Sequence, residues 1–465
     1  MKVTKVLCVL TLAVLALSGC SGEKKKEAAV FKVGVPHLMA TYDHTKGYDG
    51  WSTTRIGVGE TVLKFDADGK LVPWLADFDG NVFTVKDVKF ADGSKVTAKD
   101  ICDSLTDSCA KNVRAREVMK KSNWKVLTDN KFEYNGEKSV LTDPVFCIAK
   151  GGNVYTGGKV LSYSAEKAVV ERNGKKYEYL AIGHNATRGM AIETGDVDVV
   201  FDVDPQYYKG REHEEVGGAR TIMSRMNMAP GRPLSNPKLR KILAECINLQ
   251  DMEKPLRGYV VCNPDYSRYT KSNRIYNPVK ADKPVTLKMV FYESRPEFKI
   301  IAEATQLQAK KAGIDIKLQS VHVNALRDVE VSGDYDLVLS STTNIQSGTV
   351  ENYYRLYFDS KSPENHTRYN NPSFDNAKSL QEMQDILDKD YAVIVYGNPL
   401  HNRVSKKKMV KLNPLDFYYD VEEINYLQRI KNAANHHCDD WRHILMSLIN
   451  NNFLRRIPVL PDEIA

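Results

Sequence analysis

Histidines are the residues of this chain best suited to bind a metal ion. His37 and His44 lie in PHLMATYDH, just after the first predicted strand, and His366 lies in the polar stretch SPENHTRYNN. Residues at the carboxyl ends of strands line the clefts of α/β folds, and imidazole binds nickel, copper and zinc. We therefore predict His37, His44 and His366 as candidate metal ligands, although a solitary histidine also commonly lies in a core or on a surface.

Signatures of catalysis are missing from the sequence. It contains neither the HExxH pattern of zinc peptidases nor the GxSxG pattern of serine hydrolases. No CxxC pair is present either, which argues against a zinc knuckle. We expect a protein that is not an enzyme and has no cofactor. A secreted hydrolase, such as a peptidase, stays open as an alternative.

Alternating strands and helices must position these side chains. Strands are predicted at 31–35, 61–65, 82–85, 88–90, 197–201, 285–292, 314–318 and 335–339, and helices at 237–248 and 297–312. Thr97 and Asp100 have the spacing of a capping box, which predicts a helix start. The order strand, helix, strand, strand after residue 285 is typical of an α/β fold with a partly parallel sheet.

The N-terminus has the pattern of an export signal. Lys2 and Lys5 precede an apolar run at 6–17, which is too short for a permanent membrane span. Leu17-Ser18-Gly19-Cys20 resembles a bacterial lipobox, so we expect a signal peptide at 1–19 and lipid on Cys20. Residues 20–30 would then form a charged, lipidated tether outside the cytoplasmic membrane.

Composition indicates an ordinary globular protein. The chain has 465 residues, 42% hydrophobic and 27% charged, with a formal net charge of +7. Its longest basic runs are three lysines each, so no nucleic-acid partner is expected. Apart from Cys8 and Cys20 there are six cysteines, and we expect most of them to be buried free thiols. Cys102 and Cys109 would lie on one helix about 10 Å apart, too far for a disulfide.

A family resemblance is carried by several blocks that occur in a fixed order. They are VGETVLKFDADGKLVPWLADF (58–78), VKFADGSKVTAKDICDSL (88–105), RGMAIETGDVDVVFDV (188–203), PLSNPKLRKILAECIN (233–248), FYESRPEFKIIAEATQLQAKKAGIDIKL (291–318), GDYDLVLSS (333–341) and RYNNPSFD (368–375). Together they resemble the family 5 extracytoplasmic solute-binding proteins of peptide and nickel ABC importers. WSTTRIGVGETV (51–62) looks closer to nickel-type members.

The resemblance implies a two-lobed α/β fold like that of periplasmic binding proteins (type II, cluster C), with mixed sheets and a hinge. We expect lobe I at 31–225, including a small extra subdomain, and lobe II at 226–428. The tail at 429–465 stays unassigned; its His436, His437, Cys438 and His443 are too irregularly spaced to specify a metal site.

The resemblance also implies a function and a site. Ligand would be enclosed between the lobes and delivered to a permease and its ATPase by a monomeric lipoprotein. The expected cargo is nickel as a small chelate, with di- or oligopeptides as the alternative; an adhesin or sensor of the same fold also stays open. Matching the blocks residue by residue implies cleft contacts at Trp51, Ser52, Arg55, Thr343, Asn344, Gln346 and Ser347. Arg55 would hold a carboxylate of peptide or chelate.

Overall fold

The computed structural model describes residues 30–151, 153–217, 219–343, 349–415, 417–419 and 421. The strands are β1 (Phe31–Val35), β2 (Leu63–Phe65), β3 (Leu71–Pro73), β4 (Ala76–Asp79), β5 (Val82–Val85), β6 (Asn123–Thr128), β7 (Lys131–Asn135), β8 (Ala149–Lys150), β9 (Val154–Tyr155), β10 (Lys159–Tyr163), β11 (Lys167–Arg172), β12 (Lys175–Ala181), β13 (Val199–Phe201), β14 (Glu212–Gly217), β15 (Arg220–Met226), β16 (Val260–Cys262), β17 (Val285–Tyr292), β18 (Ile314–Val321), β19 (Leu337–Thr343) and β20 (Val393–Ser405).

The α-helices lie mainly between these strands. They are α1 (Gly50–Arg55), α2 (Ala98–Lys111), α3 (Val113–Met119), α4 (Asn185–Thr194), α5 (Pro237–Glu245), α6 (Gln250–Glu253), α7 (Pro296–Lys311), α8 (Leu326–Ser332), α9 (Val350–Phe358), α10 (Pro372–Asp375) and α11 (Leu380–Asp390). No helix in the described ranges is both long and apolar enough to cross a membrane.

Two sheets share the long strand β20 and define two lobes. In lobe I the order is β10-β11-β12-β1-β13, and β13 pairs with the second half of β20. In lobe II the first half of β20 pairs with β15, followed by β19, β17 and β18. β17 runs parallel to both β18 and β19, as the predicted order of strands and helix requires. The fold is therefore α/β with mixed sheets, as predicted.

A small subdomain projects from lobe I. Its antiparallel sheet has the order β4-β5-β7-β6 and packs on α2 and α3. Thr97 caps α2 with the predicted box: its Oγ1 accepts from the Asp100 N–H (3.2 Å) and Asp100 Oδ2 accepts from the Thr97 N–H (2.8 Å). The predicted strand 88–90 is wrong, because both edges of β5 are already occupied by β4 and β7.

The chain crosses between the lobes in two neighbouring places. One crossing lies between β14, which pairs with β20 in lobe I, and β15, which pairs with β19 in lobe II. The other lies within β20 near Gly397, where Asn398 Nδ2 donates to the carbonyl of Arg220 (2.6 Å). β15 pairs with β19 and with the first half of β20 in the lobe II sheet, whereas we expected lobe I to run to residue 225.

The end of the described chain returns to lobe I. Met409, Leu412, Tyr419 and Val421 pack with the β1 side of the sheet, and the second half of β20 pairs with β13 and β14 of lobe I, whereas we expected lobe II to run to residue 428. The lipobox, Cys20 and the tether up to residue 29, and the tail at 429–465, lie outside the described residues. The described cysteines are free thiols: Cys102, Cys109, Cys147, Cys246 and Cys262.

Candidate functional site

A cavity of about 280 Å³ lies between the lobes. Lobe I contributes the segment after β1 and helix α1, whereas lobe II contributes β15, β19, the end of β17 and helix α8. The cavity therefore opens at the carboxyl ends of β1 and β17, where parallel strands direct the chain into the cleft of an α/β fold.

Basic side chains dominate the charge of the cavity wall. Its only acidic residues among those described are Asp49 and Glu330. The basic residues are Lys46, Arg55, Arg220, Arg225, Arg295 and Arg327. Arg225 and Glu330 form a buried ion pair. Behind the wall, Glu364 pairs with Arg327 and Asp202 with Arg295, so the formal excess of cations holds for the wall residues counted alone. A site of this kind attracts an anionic ligand, and guanidinium groups bind carboxylates in two-pronged geometry.

Trp51 joins the two lobes through cation–π contacts. It lies on α1, and the guanidinium carbons of Arg55 and Arg220 lie 5.4 and 5.5 Å from its ring. Arg55 belongs to the same helix, whereas Arg220 begins β15 and donates to the carbonyl of Ser341 (3.3 Å). The indole face thus holds two cations from opposite sides of the hinge at the cavity wall.

His37 is the predicted histidine that lines the cavity. Its Nδ1 lies 3.1 Å from Ser294 Oγ of lobe II, and its Nε2 lies 3.4 Å from Arg55 Nη1. Arginine only donates hydrogen bonds, so the neutral ring carries its proton on Nδ1 and its lone pair on Nε2. That lone pair is the one a metal ion would use, provided that Arg55 turns toward another acceptor.

Two tyrosines close the far side of the cavity. The hydroxyls of Tyr48 in lobe I and Tyr357 in α9 lie 2.9 Å apart. The guanidiniums of Arg114 and Arg327 lie 5.1 and 5.7 Å from the Tyr48 ring. Burial raises the pKa of Tyr48 well above its usual value and also raises the pKa of Tyr357, so both hydroxyls stay neutral and link the lobes as a hydrogen bond.

Two predicted site residues support the cavity from behind its wall. Ser52 Oγ accepts from the Met39 N–H (2.7 Å), which fixes the segment that carries His37. Thr343 is buried at the end of β19, opposite Arg220 in the strand register. On the same strand, Ser340, Ser341 and Thr342 reach the cavity. Asn344, Gln346 and Ser347 lie outside the described residues.

The structure places the other two predicted histidines away from the cavity wall. His44 is buried in lobe I, with Nδ1 2.9 Å from Tyr155 Oη and Nε2 3.2 Å from Ser108 Oγ. Burial lowers its pKa to about 4. His366 is buried in lobe II, and burial lowers its pKa too. In the described part of the chain, no three His, Cys, Asp or Glu side chains are grouped to hold a metal ion by themselves.

The lobe II arginines were missed by sequence reasoning. Arg295 lies three residues beyond the end of β17 at Tyr292 and precedes Pro296, so its place near a strand's carboxyl end was a readable signal. Arg225 lies in a strand that is buried from Thr221 to Met226, but the mixed sequence of that strand, RTIMSRM, did not show that its arginine would be buried. No local sequence pattern marks Arg220 or Arg327, because their position in the cavity wall depends on how the two lobes pack together.

Two lobes joined by a shared strand and enclosing a polar cavity define a solute-binding protein. Residues 155–364 match the model described as bacterial extracellular solute-binding proteins, family 5 Middle. The match covers somewhat less than half of the chain, and it bears out the resemblance to family 5 solute-binding proteins seen in the sequence.

Relatives and solved structures point to the same family. The nickel-binding protein NikA of Staphylococcus aureus is 23% identical over 89% of this chain and 97% of its own length. The probable D,D-dipeptide-binding periplasmic protein DdpA of Escherichia coli K12 is 26% identical, over 36% of this chain and 37% of that protein.

Among solved structures, S. aureus NikA in complex with Ni(L-His)2 has a TM-score of 0.73 at 19% identity, covering 83% of this chain and 97% of NikA. The E. coli murein tripeptide binding protein MppA also has a TM-score of 0.73, at 16% identity, covering 86% of this chain and 99% of MppA. Identities this low show the fold alone.

Proposed function

We propose that this protein captures nickel as a small carboxylate-bearing chelate between its lobes and delivers it to the permease of an ABC importer. One observation carries the proposal: six basic side chains against two acidic ones surround a cavity of about 280 Å³. The excess of cations favours a ligand with carboxylates, and the volume favours a small one, since drug-sized pockets begin at about 300 Å³.

His37 supplies the protein's part of the metal chemistry. A chelate carboxylate that takes the guanidinium of Arg55 leaves the Nε2 lone pair of His37 open to nickel. The metal would otherwise take its donors from the chelator, in keeping with the absence of a three-residue ligand group in the described chain. The relative NikA, seen with Ni(L-His)2, supports this cargo.

A short peptide is the second candidate. Asp49 and Glu330 lie in the same cavity wall as the arginines. Acidic side chains bind the amino group of a peptide and basic side chains bind its carboxylate, so a wall with both suits a peptide. The fold is as similar to the tripeptide binder MppA as to NikA. Either solute leaves unchanged, because the protein works by hinge closure and carries no catalytic step.

A protein that delivers a solute to a membrane permease must lie outside the cytoplasmic membrane, next to that permease. We propose that the protein is exported and held at the outer face of the cytoplasmic membrane by lipid on Cys20, as a monomer. Metabolic labelling with a palmitate analogue should mark the wild-type chain and leave Cys20→Ser unlabelled. Label retained by Cys20→Ser would contradict lipid attachment at Cys20 and would leave the proposal about the bound solute unaffected.

Calorimetry tests the cargo. Purified protein is titrated with nickel alone, nickel with L-histidine, and an unmetallated tripeptide. We expect binding only when nickel and histidine are both present. His37→Gln should weaken it at least tenfold, whereas His44→Gln, which changes a buried histidine off the cavity wall, should not. Tripeptide binding without metal would replace the nickel proposal with the peptide one.

A further inference from the structure

Asp202 has an unusual backbone at the junction of the lobes. It directly follows β13 and has a φ of +52°, in the left-handed region that aspartate adopts more readily than most residues. Its N–H donates to the carbonyl of Asn402 on β20 (2.9 Å). Arg188, fully buried beneath it, donates to its carbonyl oxygen. A strained residue persists only where its surroundings hold it, and such residues gather at functional sites.

The carboxylate of Asp202 meets side chains on both sides of the hinge. Oδ1 accepts from Nδ1 of His401 (2.7 Å), which lies on the lobe I half of β20. Oδ2 lies 3.7 Å from Nη1 of Arg295, which precedes α7 in lobe II. The contact with Arg295 therefore crosses from one lobe to the other, while the contact with His401 fastens Asp202 to the shared strand.

Arg295 connects this junction to the cavity. It lines the cavity wall although only 6% of its side chain is exposed. Its guanidinium also lies 3.7 Å from Glu297, a carboxyl whose pKa is raised by burial. The neighbouring Ser294 makes the contact between lobe II and His37. Asp202 thus faces the short segment of lobe II whose Arg295 lines the cavity and whose Ser294 contacts His37.

We propose that Asp202 is a positioning residue that couples lobe closure to ligand capture. In the closed arrangement it draws Arg295 across the hinge and fixes the guanidinium at the cavity wall. Arg295 is then already oriented when a ligand anion binds to it. Opening of the lobes requires both the Asp202–Arg295 ion pair and the contact between Arg295 and the ligand to break. The closed state is populated before ligand arrives, which favours capture by population shift.

Lobe distances measured without ligand test this coupling. Spin labels are placed through encoded noncanonical residues at Leu161 and Leu307, exposed positions with one in each lobe, and distances are recorded by pulsed electron resonance. Asp202→Asn and Asp202→Gly remove the charge, and both residues tolerate the left-handed backbone. Both should shift the ligand-free distances toward longer values, with melting temperatures close to wild type.

A matched control and a cycle of variants separate coupling from general damage. Asp198→Asn changes a carboxylate at the other end of β13 whose contacts, with Lys32 and Lys406, stay within lobe I, so its distances should remain wild type. Arg295→Gln should lengthen the distances as Asp202→Asn does, and the double variant should add nothing further. Wild-type distances in Asp202→Asn, or additive shifts in the double variant, would overturn the proposal.

Affinity supplies a second measurement, which rests on the proposed function. With nickel and L-histidine as the probe, Asp202→Asn should weaken binding at least tenfold and Asp198→Asn should not. If wild-type protein fails to bind this probe, the cargo proposal falls. The coupling is then judged by the ligand-free distances alone.

Discussion

Arg220 illustrates what single residues contribute to this site. It begins β15 at the crossing between the lobes, and its guanidinium rests on Trp51 of the facing lobe. The same guanidinium donates to the carbonyl of Ser341 (3.3 Å), which holds it at the cavity wall. The planar cation of Arg220 can stack on the indole and donate to a ligand carboxylate at the same time.

Arg220→Lys should separate the shape of this cation from its charge. Lysine keeps the positive charge but loses the planar fork, so we expect affinity for the nickel–histidine chelate to fall about tenfold or more, with little change in the melting temperature. Calorimetry measures it, and Arg268→Lys, at an exposed site outside the cavity, is the control. Equal affinity in Arg220→Lys would show that only charge matters there.

His44 predicts a pH dependence of stability. Its pKa is lowered from 6.5 to about 4 by burial, so the unfolded state binds a proton that the folded state excludes. The stability that the folded state gains from keeping His44 neutral is fully present above pH 6.5. It is lost as the pH falls to 4, and the free energy of unfolding drops by up to about 3 kcal/mol. His366 acts in the same direction.

Urea unfolding at pH 7.5 and 4.5 measures this effect. His44→Gln can keep the hydrogen bonds to Tyr155 and Ser108 without the proton, so its stability should change less between the two pH values than that of the wild type. An identical pH dependence in both proteins would show that His44 is not the group responsible.

At the scale of elements, local patterns were the most readable part of the sequence. The predicted strands 31–35 and 285–292 match β1 and β17, and the Thr97 box caps α2. Helix α7 lies within a residue of its predicted bounds at each end, and its apolar Leu307 is 61% exposed whereas Phe298 and Ile301 are buried. Periodicity locates a helix, but the neighbouring strands decide which stripe is buried.

Helix α3 depends on a buried ion pair. Arg114 in its first turn donates to both carboxylate oxygens of Asp143, and both side chains are almost fully inaccessible to solvent. Arg114→Met leaves the Asp143 carboxylate buried without its cation, so unfolding free energy should drop by about 3–5 kcal/mol. Lys111→Met removes the exposed pair with Asp107 at the end of α2 and should cost less than about 0.5 kcal/mol.

Denaturant unfolding of the two variants gives the comparison. Since Arg114 also lies against Tyr48, Arg114→Met should weaken the contact between the lobes as well. Equal losses of unfolding free energy in Arg114→Met and Lys111→Met would show that breaking the buried ion pair costs no more than breaking the exposed one.

At the scale of the whole molecule, the sequence revealed the family and the two lobes but not how they meet. Trp51, Arg55 and His37 were named beforehand and line the cavity, whereas His44, further along the same segment after β1, turns into the core of lobe I. No local pattern distinguishes them. The lobe II arginines reach the cavity only after β20 has joined the sheets, a pairing between residues about 200 apart in the chain.

The nickel proposal is best tested by a crystal structure grown with nickel and L-histidine, with anomalous scattering recorded at the nickel edge. We expect one nickel peak inside the cavity, next to Nε2 of His37, with chelate carboxylates on Arg55 and Arg220. A cavity filled by peptide without an anomalous peak, or a nickel peak only elsewhere on the chain, would contradict it.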